Sequence, residues 1–308
     1  MSIHNRKDSG MSQSVYKKCT LCARNCAIDR NVNMGFCKVT STIYLSRAAL
    51  HYWEEPVISG TCGSGTIFFS GCSLGCVFCQ NREISRGISG IEVTIDRLAE
   101  IMLELKSQGA HNINLVTPTH YVPSICEAIM IARNNGLDIP IVYNTGSYDN
   151  VETIKMLDGF VDVYLPDLKY FRKSTAKTFS QAENYLDVAR AGIAEMVRQI
   201  GSPQINTDGI MMRGVIIRLL LLPGHVAEAK LSLKYLFDTY GDSIYVSLMN
   251  QYTPMPNMLP PLNRRVTRAE YAELVDYAER LGLTNGFTQE FGTADESFIP
   301  PFDNTGIF

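Results

Sequence analysis

The chain lacks any apolar run of the roughly 18 residues that a membrane span requires. The stretch GVIIRLLLLPG is interrupted by Arg218 and stopped at Pro223. The opening segment, MSIHNRKDSGMSQSVYKK, has no apolar centre of the kind a secretion signal carries. Residues 1–18 therefore read as a flexible leader, and the chain reads as cytoplasmic with no membrane partner. Positive charge is not in excess either. A net charge of -3 supplies no electrostatic footprint for a nucleic-acid backbone, so no nucleic-acid partner is expected. Internal repeats and low-complexity tracts are absent.

Cysteine is plentiful by comparison. Nine cysteines in a chain without a secretion signal point to metal or redox chemistry, not to disulfides. Cys19, Cys22, Cys26 and Cys37 form one group and Cys72, Cys76 and Cys79 another. Cys62 lies between the groups, in the flexible setting GTCGSG. Cys126 falls on the apolar face of a helical pattern and reads as a packed thiol.

From residue 66 onward, short β-rich runs alternate with helical patterns. Strands are expected at TIFFS (66–70), INLVTP (113–118), IPIVYNT (139–145), VDVYLPD (161–167), GVIIRLLLL (214–222) and SIYVSLMN (243–250). Segments with apolar residues at three- and four-residue spacing separate them, most ending at glycine. Strand–helix–strand at this spacing implies parallel crossover units. The fold class expected is α/β, an open partial (β/α)6 barrel, with its site at the C-terminal ends of the strands. The domains follow: a cysteine-rich metal-binding segment over 19–60, the barrel over 61–290 and a tail over 291–308 that packs on it.

The loop GCSLGCVFCQN follows the first barrel strand directly. Thiolates select soft or borderline metals, and three of them on one four-iron cluster leave one iron open to another ligand. Gly71 and Gly75 permit the turns that such a loop needs. A zinc ion completed by a distant fourth ligand is the competing reading. The N-terminal set, spaced C-x2-C-x3-C-x10-C, is complete for structural zinc or for a second cluster; free thiols are the remaining alternative.

CSLGCVFC resembles the cluster loop of the radical S-adenosylmethionine (SAM) superfamily. EEPVISGTCGSGTIFFSGCSLGCVFCQN, NINLVTPTHYVPSI, YLPDLKYF, RLLLLPGH and FGTADESFIPPFD resemble the pyruvate formate-lyase activating enzyme-like (PflX-like) group, over nearly the whole chain after residue 19. The resemblance implies a [4Fe-4S] cluster on Cys72, Cys76 and Cys79, with SAM chelated at the open iron. Reduction then cleaves SAM to a 5'-deoxyadenosyl radical that abstracts hydrogen from a substrate. It further implies a protein or peptide substrate, with activation of a glycyl-radical enzyme one form of this, and an electron donor such as flavodoxin or ferredoxin.

By the same resemblance, Phe78 approaches the adenine, with packing in the core as the competing role. The activating enzymes end their second strand in Gly-Gly-Glu, which meets the methionine amino group. Here the strand ends VTPTHY, so Thr117 and Thr119 stand in its place without a carboxylate, and His120 is either a site residue or a solvated one. Asn144 and Thr145 are candidates for the ribose or the methionine carboxylate, or else form a local turn. Asp167 and Lys169 match an Asp-x-Lys pair near the methionine carboxylate, or form a structural ion pair. Arg218 is too costly to bury unpaired, so it meets either an acidic partner or the cofactor. Gln251 and Tyr252 complete the ring near the adenine. No residue is assigned to catalysis itself. A small-molecule or other peptide substrate is the first alternative; a non-catalytic zinc module and an RNA-modifying enzyme are the others.

Overall fold

The computed structural model describes residues 11–87, 89–290 and 299–308, with side chains from residue 14 onward. Among the described residues ten strands form one sheet: β1 (Ile43–His51), β2 (Ser64–Phe69), β3 (Ile91–Val93), β4 (Ile113–Val116), β5 (Ile141–Thr145), β6 (Val163–Pro166), β7 (Gln204–Ile205), β8 (Met211–Leu220), β9 (Tyr245–Met249) and β10 (Gly286–Thr288). The helices are α1 (Met11–Lys17), α2 (Pro56–Ser59), α3 (Arg82–Ser85), α4 (Ile95–Ser107), α5 (Val122–Asn134), α6 (Val151–Met156), α7 (Lys173–Ser180), α8 (Tyr185–Ile200), α9 (Val226–Tyr240) and α10 (Arg268–Leu281).

Across the sheet the order is β10-β9-β8-β6-β5-β4-β2-β1-β3, with β7 pairing β8. From β10 to β2 every neighbour is parallel. The path does not close on itself, so the sheet is an open, mostly parallel one of the expected α/β class. The six strands foreseen from sequence form its centre. Beyond them, β10 adds a further parallel strand, while β1 and β3 add an antiparallel edge. Residues 43–51, which the sequence places in the cysteine segment with no strand, pair with β2 along its whole length.

Strands β2, β4, β5 and β6 are buried along their full length, as a parallel sheet covered on both faces requires. One side packs against helices, through Leu98 and Met102 of α4, Ile125 and Ile129 of α5, Ile193 and Met196 of α8, and Leu233 and Leu236 of α9. Local signals place these helices. Thr94 caps α4 by accepting the Arg97 amide, and Thr267 forms a capping box with Glu270 at the start of α10.

The concave side has two levels. Val142, Val163, Leu165, Ile216 and Met211 form an apolar plug closed by Ile58 of α2. Two residues further along the strands lie Asn144, Asp167 and Arg218. Because side chains on a strand alternate with a period of two, the residues after the plug face the same interior. The plug ends and polar chemistry begins at the C-terminal ends of the strands.

Candidate active site

A cavity of about 220 Å³ opens at those strand ends. Its walls include Cys72, Cys76 and Cys79 together with Phe78, Thr117, Thr119, Asn144, Asp167, Lys169, Arg218 and Gln251. The structure thus brings most of the sequence-derived candidates together. Thr145, like His120 and Tyr252, lies outside the cavity lining. One residue past Asn144, it points to the opposite face of β5, where its hydroxyl donates to the buried Asp149 carboxylate at 2.7 Å. Tyr143 donates to the same carboxylate at 2.7 Å, so this set holds the β5–α6 connection. Burial pushes the Asp149 carboxyl up, and these hydroxyls offset only part of that.

Arg218 is enclosed by acceptors. It donates to Asp167 at 3.0 Å, to Glu54 at 3.2 Å and to the Asn144 side-chain oxygen at 2.5 Å. Lys169 donates to the other Asp167 oxygen at 2.6 Å. Burial would raise the Asp167 carboxyl, but Lys169 and Arg218 together hold it below the ordinary carboxylate range. Burial would likewise lower Lys169, and Asp167 more than offsets it. Both alternatives for Arg218 therefore meet in one place: it has acidic partners and it lines the cavity.

Glu54 stands in no motif that singles it out in the sequence. It arrives from the connection after β1, accepts from Asn114 at 2.9 Å and from Arg218, and lines the cavity. The available signal was Arg218 itself, a cation in an apolar strand that needs a carboxylate. Thr117 has φ of 58°, a left-handed conformation that a β-branched residue rarely adopts, at the rim of the cavity. His120 is neither a cavity residue nor solvated. It is buried, and its Nε2 donates to the Ser70 carbonyl at 2.8 Å just before the cysteine loop. Phe78 lines the cavity and also packs edge-on against Tyr170, Phe179 and Tyr252. Tyr252 itself is buried and donates to the Leu262 carbonyl.

The three thiols are enclosed and meet nearby donors. The Leu74 amide points at Cys72 Sγ at 3.4 Å, and the Ser180 hydroxyl at Cys76 Sγ at 3.1 Å. Burial, reinforced by Cys79 and Cys76, pushes the Cys72 thiol up to about 12; burial also raises Cys79. Three thiolates in this enclosure need a bound cation to neutralise them, and a metal does this. Among the described residues no three Cys, His, Asp or Glu side chains are placed to hold a single ion. A cubane cluster makes no such demand, since each thiolate ligates a different iron. The donor set fits a cluster.

The N-terminal cysteines lie together on the flank of this loop. A Cβ on Gly35 would sit 3.5 Å from Cys37 Sγ and 3.6 Å from Cys26 Sγ. Arg30 is buried there, donating to the Val39 and His120 carbonyls. Burial would lower it, but the Cys37 and Cys19 thiols and Tyr16 raise it. A buried guanidinium whose anionic neighbours are cysteines is compensated when those cysteines are thiolates. Cys62 is exposed, and Cys126 is half-buried with Sγ 3.7 Å from the Met156 carbonyl.

The family model of the Radical SAM superfamily matches residues 66–228, which is β2 through the start of α9. The chain belongs to the Radical SAM superfamily. It is 30% identical to the uncharacterized protein MJ0674 of Methanocaldococcus jannaschii, over 89% of this chain and 78% of that one. Among solved structures it is similar to HydG, a maturase of the [FeFe]-hydrogenase, with 14% identity and a TM-score of 0.48 over 70% of this chain; the match spans about half (49%) of HydG. It is also similar to a domain of pyruvate-formate lyase-activating enzyme from Bacteroides vulgatus, with 14% identity and a TM-score of 0.40 over 55% of this chain and 92% of that domain. Membership of the superfamily implies a [4Fe-4S] cluster and SAM as cofactors, and radical chemistry as the enzyme's class. No helix among the described residues is long and apolar enough to cross a membrane.

Proposed function

We propose that Cys72, Cys76 and Cys79 hold the [4Fe-4S] cluster and that the cavity beside them takes SAM, for hydrogen abstraction from a protein or peptide. The observation that carries this is one short loop's three thiols opening into the same cavity as Asn144, Asp167, Lys169 and Arg218. Bound there, the cofactors supply reductive cleavage of the sulfonium and a hydrogen-abstracting radical.

The chain's own residues bind and exclude. Arg218 and Lys169 present positive charge toward a carboxylate while Asp167 and Glu54 fix their position. Asn144, Thr117 and Gln251 offer uncharged polar groups to a sugar or an amino group. Gln251 is held in place by Gln289, at 2.9 Å between their side chains. Phe78 and Leu220 supply apolar wall, and the Phe78 ring is fixed by its aromatic neighbours. Thr119 borders the cavity from the turn after β4.

A macromolecular substrate is supported by the sheet's strand order, which does not close into a barrel. A glycyl-radical enzyme is one such substrate. In this reading the four N-terminal cysteines bind zinc or a second cluster, over a segment spanning 19–60; the second cluster is the better supported, because no three of these thiols are placed to hold a single ion. An electron carrier such as flavodoxin or ferredoxin serves the radical cluster in the cytoplasm.

The test is anaerobic reconstitution with iron and sulfide, followed by electron paramagnetic resonance of the reduced protein with and without SAM. Metal content and 5'-deoxyadenosine are measured on the same sample. A reduced-cluster signal that shifts with SAM, accompanied by 5'-deoxyadenosine, is the expected result. Cys76→Ala should lose the signal and all 5'-deoxyadenosine, and residual turnover in that variant would overturn the ligand assignment.

A further inference from the structure

The cysteine-rich segment touches the radical loop at several points, and one side chain makes most of the polar contacts. Arg24 lies between Cys22 and Cys26. Its Nε donates to the Ser73 carbonyl at 2.9 Å, and one terminal nitrogen donates to Leu74 at 3.0 Å and to Ser180 at 2.7 Å. The other terminal nitrogen donates to the Gln181 carbonyl at 2.6 Å. The guanidinium lies 3.7 Å from the Phe36 ring centre and 5.1 Å from that of Tyr148. Ser73 and Leu74 lie between two cysteines of the radical loop. Ser180 and Gln181 end α7, from which the Ser180 hydroxyl reaches Cys76 Sγ and the Phe179 carbonyl accepts the Val77 amide.

The backbone approaches are equally close. A Cβ on Gly71 would meet the Cys37 carbonyl at 2.7 Å, and one on Gly75 would sit 3.4 Å from the Phe36 ring. Both partners come from the stretch that ends the four-cysteine group. On its other side the segment is fastened to the barrel. Ala23 donates to the Tyr148 carbonyl at 3.0 Å, and the Asn150 side chain donates to the carbonyls of Thr20 and Cys22.

We propose that Arg24 is a positioning residue through which the four-cysteine segment sets the conformation of the radical loop that carries Cys72, Cys76 and Cys79. The coupling is mechanical. Ala23, next to Arg24, is tied to the Tyr148 carbonyl, and the planar fork of Arg24 holds two carbonyls of the loop and two at the end of α7 in one register. A lysine offers a point charge with a different donor geometry and cannot satisfy that set. This inference rests on the cluster reading of Cys72, Cys76 and Cys79 given above.

Amide hydrogen exchange tests it without iron in the radical loop. The comparison uses the metal-free wild type, Arg24→Ala and Arg24→Lys. Amides of residues 72–80 should exchange at least about tenfold faster in Arg24→Ala, the loss expected when several charge-assisted hydrogen bonds go together. Arg24→Lys should fall between. Protection in β4, β5 and β6 reports the barrel and should stay at the wild-type level in both variants. Unchanged exchange in 72–80 for Arg24→Ala, or a loss of protection that extends equally to the barrel strands, would overturn the coupling. Reconstitution of the wild type separates these results from a failure of the function itself: an absent reduced-cluster signal there sinks the enzyme reading, whatever the exchange data show.

Discussion

Arg218 occupies an otherwise apolar strand, and three side chains from separate parts of the chain surround it: Glu54, Asn144 and Asp167. The cation was legible in the sequence as a residue that must find an acid. Which acid was not, because Glu54 is 164 residues away in sequence and enters from outside the crossover units. His120 was harder still. Its neighbours in sequence suggest a loop, whereas the fold puts it beneath the start of the cysteine loop and against Tyr121, with ring centres 4.3 Å apart. Burial, with a smaller contribution from Arg30, lowers its pKa to about 3. The unfolded chain takes up this proton near the ordinary histidine value while the folded chain resists it. The histidine's contribution to stability is therefore complete above the unfolded pKa and is lost progressively as the pH falls from 6.5 toward about 3. By about pH 5 the loss amounts to roughly 2 kcal/mol. Urea denaturation near pH 7 and about pH 5 should show this drop in the wild type. In His120→Gln, which keeps a donor for Ser70, the drop should be visibly smaller. Identical pH dependence in the two proteins would remove His120 from the account.

Elements were read best where periodicity is strong. The six central strands carry continuous apolar runs bounded by turn residues, and each appears close to its expected place. The antiparallel strand β1 escaped because IYLSRAALH follows no clean alternation and lies ahead of the crossover pattern. The short α7 escaped because KSTAKTFS carries only two apolar residues, Ala176 and Phe179, too few to set a period. The cysteine loop was legible from spacing alone; its packing against Cys37 and Val39 was not, since glycine leaves no mark of what approaches it. Gly71 has φ of 88° and faces the Cys37 carbonyl. Gly109 has a comparable φ of 92° with nothing within 4 Å of an added Cβ. Alanine at either position incurs left-handed strain of about 1–3 kcal/mol, visible as a lower thermal midpoint. Only Gly71→Ala should in addition displace the loop. Reconstituted Gly71→Ala should retain well under half the iron of Gly109→Ala after desalting, and equal retention would show that the approach to Cys37 does not shape the cluster loop.

Residues 299–308 complete one edge of the sheet. The sequence places a tail over 291–308; residues 291–298 fall outside those described, and Asn304 and Thr305 run beside β1 at the edge of the sheet. β3 pairs with only the first part of β1, at Ile43, Tyr44 and Leu45. Where it leaves off, the tail takes over: Asn304 donates to the Ser46 carbonyl at 3.1 Å, and Ala48 donates to Thr305 at 2.9 Å. Ile307 is buried, Arg97 donates to the carbonyls of Ile307 and Phe308, and Phe302 packs edge-on against Phe68. Ile299 and Pro300 border the cavity. Removing residues 299–308 therefore uncovers an apolar side chain worth roughly 1.5–3 kcal/mol and frees backbone groups along β1. An uncovered edge is also a template for pairing with another chain. The truncated protein should unfold at lower urea by about 2–3 kcal/mol and should elute partly as larger species in size-exclusion chromatography at high concentration. A midpoint and elution profile matching the full chain would mean that β1 is held by β2 and β3 alone, and that the tail rests on the barrel without stabilising it.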